Sequence, residues 1–434
     1  MQTIAFDYVI NDFNFYPAPN IQKPLKGLTF QDPNFHTEVV RITDALSELP
    51  KSKRYGLYQG YPKHDIENAD GTKLIMQSWS EPSAWHIWNA NPTYGKYKDI
   101  PYRVIGKGRP IDCRWDDKDP NILYFQMKRK FWKLNIETMQ ASALHDFSSE
   151  YIFTNGTEWD HTMSEEGTPS SDSRYWAFRI YAHNKNHSPR WWHYATMVFD
   201  KDYYGKDQGK VIAKIDRTNP NFREAGFTSM SPSGKYVWIG DAHYIYSRDL
   251  AAIRTGKLGK GHADMGYSAE GREVIFGYAL KDGNWSNGYW AAMEDLETGK
   301  LTYLARPLGL PMFHFSANSH EKPGWGVVSQ PAPRYPGVES KLYEHEVFMV
   351  ELTTRTNPPP RVWRLAKTHT VRKGYNDDIY AKINKKGTKV WFGTGWGTSF
   401  YDVGGAYDVY QINLPSTWYQ DLISTVPLSP PKYP

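Results

Sequence analysis

The chain runs to 434 residues, 40% hydrophobic and 15% aromatic, with 34 Gly, 29 Pro, 17 Trp and 31 Tyr. That composition supports real cores and suits many short strands and turns better than long helices. A net charge of +5 without a basic run leaves nucleic acid a poor partner, the single Cys113 excludes an intrachain disulfide, and no stretch approaches the roughly 18 apolar residues of a membrane span.

In chain order, residues 1–38 read as an arm, with Phe13, Phe15, Tyr16 and several prolines. Val39-Val-Arg-Ile-Thr43 alternates apolar and polar residues and reads as a strand. A turn followed by an aromatic or branched strand then recurs seven times. The units are Asn68-Ala-Asp-Gly71 with Thr72 to Met76, Arg114 to Pro120 with Ile122 to Phe125, and Pro169 to Asp172 with Tyr175 to Phe178. They continue with Ser231-Pro-Ser-Gly234 and Tyr236 to Ile239, then Ala269-Glu-Gly271 and Glu273 to Tyr278. The last two are His314 to Asn318 with Gly324 to Val328, and Asn384-Lys-Lys-Gly387 with Lys389 to Phe392. Turns fall roughly 40 to 65 residues apart, and third or fourth strands follow at Phe131–Asn135, Thr196–Phe199, Glu346–Val350 and Tyr407–Ile412.

This pattern predicts an all-β, seven-bladed β-propeller over residues 39–415, followed by a Pro-rich tail over 416–434. The seventh unit runs out of chain before its last strand, because the prolines of the tail cannot pair in a sheet interior. Val39–Thr43 is predicted to supply that strand and close the ring, which protects the edge.

In such a fold the first strand of each blade lines the central channel, so the polar residues upstream of each turn are the site candidates. They are His64 and Asp65, Arg114, Glu166, Glu224, His262 with Asp264, His314 with Asn318, and Asp377, Asp378 and Tyr380. A ring of His, carboxylate, Arg and Tyr can close the channel by bonding to itself and water. It also suits acid–base work on a charged sugar: a cation neutralises a uronate carboxylate and His or Tyr removes the proton α to it. His262, Asp264, His314 and Glu166 are the candidate ligands for a divalent ion such as Ca, Mn or Zn, without an HExxH or CxxC motif to support them. Trp191 and Trp192, in a segment read as a loop after Pro189, with His161, are candidates for stacking on sugar rings. Trp85 and Trp88 read as packing between blades. No Gly-x-Ser-x-Gly elbow or phosphate loop is present, and no organic cofactor is expected.

Gly261-His-Ala-Asp264, Ser170 to Phe178, His314 to Asn318 with Pro323-Gly-Trp325, and Gly387 to Gly393 give the chain a resemblance to TolB-like seven-bladed propellers. Among these it is most similar to the oligogalacturonate-lyase and ulvan-lyase type of polysaccharide lyase. That resemblance implies His and Tyr as acid and base, Arg and a second His at the uronate, and a metal held largely by His of the last blades. His314 matches one such ligand, whereas Asp377-Asp-Ile-Tyr-Ala-Lys382 stands where relatives commonly carry Glu-Pro-His. His64 and His86 match the ulvan-type His pair by order, and Arg114 and Tyr380 are the channel candidates for the remaining catalytic roles.

The expected function is a polysaccharide lyase cleaving a uronate-containing glycan by β-elimination, with an acidic poly- or oligosaccharide as partner. The alternative is a non-catalytic glycan-binding or assembly propeller. The N-terminus is not a signal peptide as written, yet the substrate class points to a secreted or periplasmic protein; the oligomeric state is left open.

Overall fold

The turns that recur in the sequence have a common hydrogen-bonding logic. At Ser231-Pro-Ser-Gly234 the amide of Gly234 donates to the Ser231 carbonyl over 2.8 Å, and the amide of Tyr236 donates to Ser231 Oγ over 3.1 Å. At Asn384-Lys-Lys-Gly387 the Gly387 amide donates to the Asn384 carbonyl, and the Asn384 side-chain oxygen accepts from Thr388 and Lys389. A short polar side chain thus caps the first strand while Gly takes the left-handed position, with φ of 73° at Gly234 and 60° at Gly387. Each turn releases the chain into a buried strand of branched and aromatic residues.

The computed structural model describes residues 6–49, 55–78, 85–100, 111–153, 157–164, 166–184, 191–240, 243–259, 262–281, 289–307, 314–331 and 342–423. Gly261, His187, Pro189 and the Pro-rich 428–434 lie outside them. Among the described residues no helix is long and apolar enough to cross a membrane.

The strands form five four-stranded antiparallel sheets and one nine-stranded sheet in which Ala406–Tyr407 pairs parallel with Tyr55–Gly56, and together they make the seven blades expected of a propeller. The first is Tyr55–Tyr58, Lys73–Ser78, Trp85–Asn89 and Lys96–Ile100; the second is Ile111–Trp115, Ile122–Met127, Lys130–Asn135 and Gln140–Asp146. The third is Glu158–Thr162, Tyr175–His183, Trp191–Asp200 and Lys210–Asp216; the fourth is Thr228–Met230, Tyr236–Ile239, Tyr244–Ser247 and Ile253–Thr255. The fifth is Asp264–Tyr267, Glu273–Leu280, Tyr289–Asp295 and Leu301–Pro307; the sixth is His314–Ser316, Trp325–Gln330, Glu346–Glu351 and Val362–Lys367.

The seventh blade holds Lys382–Ile383, Lys389–Thr394 and Ala406–Asn413, and its fourth strand comes from the other end of the chain. Glu38–Arg41 pairs antiparallel with the last strand, Val39 opposite Ile412 and Val40 opposite Gln411. The expected pairing of this segment with the last strand is observed. Thr29–Gln31 then adds a further strand outside it, so pairing begins within the predicted arm. The predicted tail likewise begins as a helix, Trp418–Ile423, whose buried Trp418 donates its indole N–H to the Gly387 carbonyl over 2.8 Å.

By internal packing the chain divides into two compact units: Met1–Ile66 with Ile75–Asp99 and His262–Pro434, and Glu67–Leu74 with Ile100–Gly261. In the first, Trp325, Trp363 and Trp418 share a core with Val39, Ile379, Phe392 and Ile412. In the second, Phe131, Trp176, Phe178 and Phe199 pack as a cluster of rings. Each such side chain contributes about 1.5–3 kcal/mol on burial.

The arm is pinned by charge as well as by rings. Ile10 bridges to Trp363, and the Asn11 amide donates to the Val362 carbonyl, which occupies the free edge of the sixth sheet. Behind it, Glu346 accepts from Arg364 Nε over 2.9 Å and from Lys367 Nζ over 2.5 Å, all three side chains being almost wholly buried. Arg364 also donates to the Asn14 carbonyl and lies over the rings of Tyr16 and Phe35. Glu346→Ala strands two buried cations and is expected to cost about 3–5 kcal/mol in urea unfolding; a loss under about 1 kcal/mol would contradict this arrangement.

Candidate active site

The short first strand Tyr55–Tyr58 ends at Gln59-Gly-Tyr-Pro-Lys-His64 and delivers a turn of polar residues to the first unit. Gly60 is left-handed, φ 75°, and a Cβ there would lie 3.5 Å from His64 Nδ1 and 3.7 Å from Lys382 Nζ. Those distances are ordinary contacts, so it is the left-handed φ that favours glycine here.

The centre of the cluster is Tyr61. Its hydroxyl lies 2.6 Å from His262 Nδ1, and with the imidazole proton on Nε2 the hydroxyl donates. His262 stands two residues before the inner strand Asp264–Tyr267 begins, itself left-handed at φ 55°. A bulky residue in this region is uncommon and is held there by its surroundings. His314, opening the inner strand of the sixth blade, has its ring centroid 4.6 Å from that of His262 and 5.7 Å from that of Tyr61. Tyr380 completes the group, 4.5 Å from His314 and 6.0 Å from Tyr61, and is also left-handed at φ 49°. His64 flanks Tyr61 at 6.3 Å.

Cations surround these rings. Lys63 Nζ lies 5.4 Å from the Tyr61 ring centroid. Lys382, fully buried, donates to the carbonyls of Gln59 and Tyr61 over 2.6 and 2.5 Å. Arg372 uses Nε on Asp378, while its buried Nη1 has no hydrogen-bond partner among the described residues.

The electrostatics follow from burial. His314 is 1% exposed with both ring nitrogens unpartnered among the described residues. Burial, then the neighbouring His262, Arg372 and Lys63, hold it well below the usual imidazole range, so it is neutral at pH 7. Burial, then Tyr375 and Asp378, hold Tyr380 well above the usual phenol range, and its hydroxyl donates to the Tyr375 carbonyl over 3.0 Å. Burial pushes Asp264 up to about 6, against two backbone donors and the charges of Lys63 and Lys382.

Of the residues read from the sequence, His64, His262, His314 and Tyr380 come together here. Asp264 has a different task, because its two oxygens accept the amides of Met265 and Ala317 over 2.8 and 2.7 Å and tie the fifth blade to the sixth. Asp377 is equally occupied, by the amides of Lys373, Gly374 and Phe400 and by Ser399 Oγ. His86 bonds instead to Ser78 and Asp99. Asn318 is half-buried beyond the inner strand of the sixth blade.

Arg114, His161, Glu166, Trp191 and Trp192 belong to the second unit. Arg114 donates to the carbonyls of Cys113 and Gly167. His161 is fully buried between Phe147 and Phe178, a core position. Trp191 and Trp192 do not form a loop: they begin a strand and pair with His183 and Ala182. The side chain of Trp191 lies outside the described part.

Tyr61, Lys63, Arg372 and Lys382 escaped the sequence reading. The available signal was a Tyr and two cations adjoining residues already singled out, at Tyr61-Pro-Lys-His64 and Tyr380-Ala-Lys382.

The metal expectation meets a poor donor set. His262 and His314 supply two imidazoles, but Tyr61 occupies Nδ1 of the first and backbone amides occupy both oxygens of Asp264. Among the described residues no three His, Cys, Asp or Glu side chains converge as ligands, and the nearby cations disfavour a further positive charge. These residues do not by themselves fit a divalent ion.

No family model and no curated protein matches the sequence. The architecture does have solved counterparts. An oligogalacturonate lyase in complex with manganese superposes with a TM-score of 0.58 at 13% identity, covering 90% of this chain and 96% of the other. The oligogalacturonate lyase of Vibrio parahaemolyticus gives 0.57 at 12% identity, over 95% and 100% of the two chains. The likeness establishes the fold, an all-β seven-bladed propeller.

Proposed function

We propose that the protein is a polysaccharide lyase acting on a uronate-containing glycan by β-elimination, with Tyr61 and His262 as its acid–base pair. The observation that carries this reading is the 2.6 Å contact between Tyr61 Oη and His262 Nδ1, set among Lys63, Lys382 and Arg372. Elimination needs a base for the proton α to the carboxylate, and a cation to hold the charge that develops on that carboxylate.

In the proposed reaction Arg372 Nη1 and Lys63 Nζ face the uronate carboxylate. His262 withdraws the Tyr61 hydroxyl proton as Tyr61 Oη takes the proton from the α carbon. The bond from the neighbouring carbon to the glycosidic oxygen breaks, a carbon–carbon double bond forms, Tyr61 passes the abstracted proton to the departing oxygen, and His262 returns its proton to Tyr61 Oη. Proton and electron pairs balance without an added reactant. His314, neutral and with both ring nitrogens unpartnered among the described residues, offers the sugar a hydrogen bond. An acidic polysaccharide substrate places this work in the periplasm or outside the cell.

The test is ultraviolet absorbance during incubation with pectate, ulvan, glucuronan and acidic gums. The conjugated unsaturated uronate absorbs, so a rise on one substrate is expected. A flat trace on all, with glycan binding retained, would favour the non-catalytic alternative.

A further inference from the structure

Three successive strands of the first blade carry a second constellation, independent of the elimination site. Ser78 ends Lys73–Ser78, His86 lies in Trp85–Asn89, and Asp99 lies in Lys96–Ile100. Ser78 Oγ is 2.6 Å from His86 Nε2, and His86 Nδ1 is 2.6 Å from Asp99 Oδ1. The second carboxylate oxygen of Asp99 is held by Lys96 Nζ at 3.1 Å.

The order of contacts is that of a nucleophilic relay. The carboxylate fixes the tautomer with its proton on Nδ1, so that Nε2 accepts from the serine. Burial pushes Asp99 up, but the hydrogen bonds from His86 and Lys96 prevail and hold it below the usual carboxylate range. It therefore stays ionised at neutral pH. Trp88, on the same face as His86 with ring centroids 5.7 Å apart, has a buried indole N–H without a hydrogen-bond partner among the described residues.

We infer that Ser78, His86 and Asp99 form a nucleophilic triad that hydrolyses small carboxylic esters of the acetyl class. Ser78 is only 6% exposed, which excludes bulky acyl groups. Ser78 Oγ attacks the ester carbonyl carbon while its proton passes to His86 Nε2. The alcohol leaves with that proton, and water, deprotonated by Nε2, then cleaves the acyl-serine to release the carboxylic acid.

The full chain is treated with methanesulfonyl fluoride and followed by intact mass and peptide mapping, and in parallel assayed with p-nitrophenyl acetate. A single adduct on Ser78 is expected, absent in Ser78→Ala, together with ester turnover that Ser78→Ala abolishes. Asp99→Asn is expected to slow adduct formation at least tenfold while the fold, checked by circular dichroism, persists. No adduct on Ser78 at any pH, or an unchanged rate in Asp99→Asn, would overturn the inference and leave the three side chains as cross-strand bonds. The elimination reading stands or falls separately, because its assay reads Tyr61 and His262.

Discussion

Tyr61→Phe is expected to lower the rate of elimination by about 10²–10⁴-fold, the range a positioned acid–base group supplies, while unfolding changes little. The substitution removes one oxygen and keeps the ring that packs against His64, His314 and Tyr380. What is lost is the 2.6 Å contact with His262. His262→Ala removes the group that receives the Tyr61 proton and is expected to give a loss of the same order. Because the two act as a unit, the double variant should be little worse than either single one. Steady-state rates of all three, with unfolding curves beside them, check this. Independent, multiplying losses would mean that the two side chains serve different steps.

Acid is expected to destabilise the protein strongly well before carboxylates titrate in bulk. Burial holds His193 at about 3 and His320, His345 and His369 at about 4, and it holds His314 well below the usual range. The sign follows from linkage: these folded-state values are depressed below 6.5, so the unfolded chain binds protons that the native chain refuses. The stability they contribute is present above about pH 6.5 and is lost as pH falls. Each group contributes a slope approaching about 1.4 kcal/mol per pH unit.

Asp264 and Asp32 act the other way, since burial raises both and their folded forms take up protons earlier. Five histidines against two carboxyls leave a net slope of up to about 4 kcal/mol per unit below pH 6. Against a total stability of about 5–15 kcal/mol, two units of that slope remove about 8 kcal/mol, a large share of the whole. Urea unfolding at pH 7, 6 and 5 reads it; equal midpoints across that span would show that the buried histidines are solvated.

The repeat was legible because local chemistry and fold agree at each turn. Ser231-Pro-Ser-Gly234 and Asn384-Lys-Lys-Gly387 name the cap and the left-handed residue, and the apolar runs after them leave only a buried strand as their place. Val39–Arg41 was legible by subtraction, since the seventh blade lacked a strand and this segment had the right alternation. Tyr61 and Lys382 were not legible. The first strand of a blade is short, as little as the two residues Lys382–Ile383, so it has no periodicity that says which side chain meets which. Ser78, His86 and Asp99 sit on neighbouring strands at spacings fixed by hairpin length, and no local motif encodes that. Trp191-Trp192 read as loop because of the nearby Pro189, whereas cross-strand pairing with His183 and Ala182 decided otherwise.

The central claim is that the chain cleaves by elimination at Tyr61 and His262, and mass spectrometry of the products tests it most directly. Elimination adds no water, so the masses of the two fragments must sum to that of the acidic oligosaccharide supplied, and this sum must vanish with Tyr61→Phe. Fragments whose masses sum to substrate plus one water, or elimination that survives Tyr61→Phe at full rate, would contradict it.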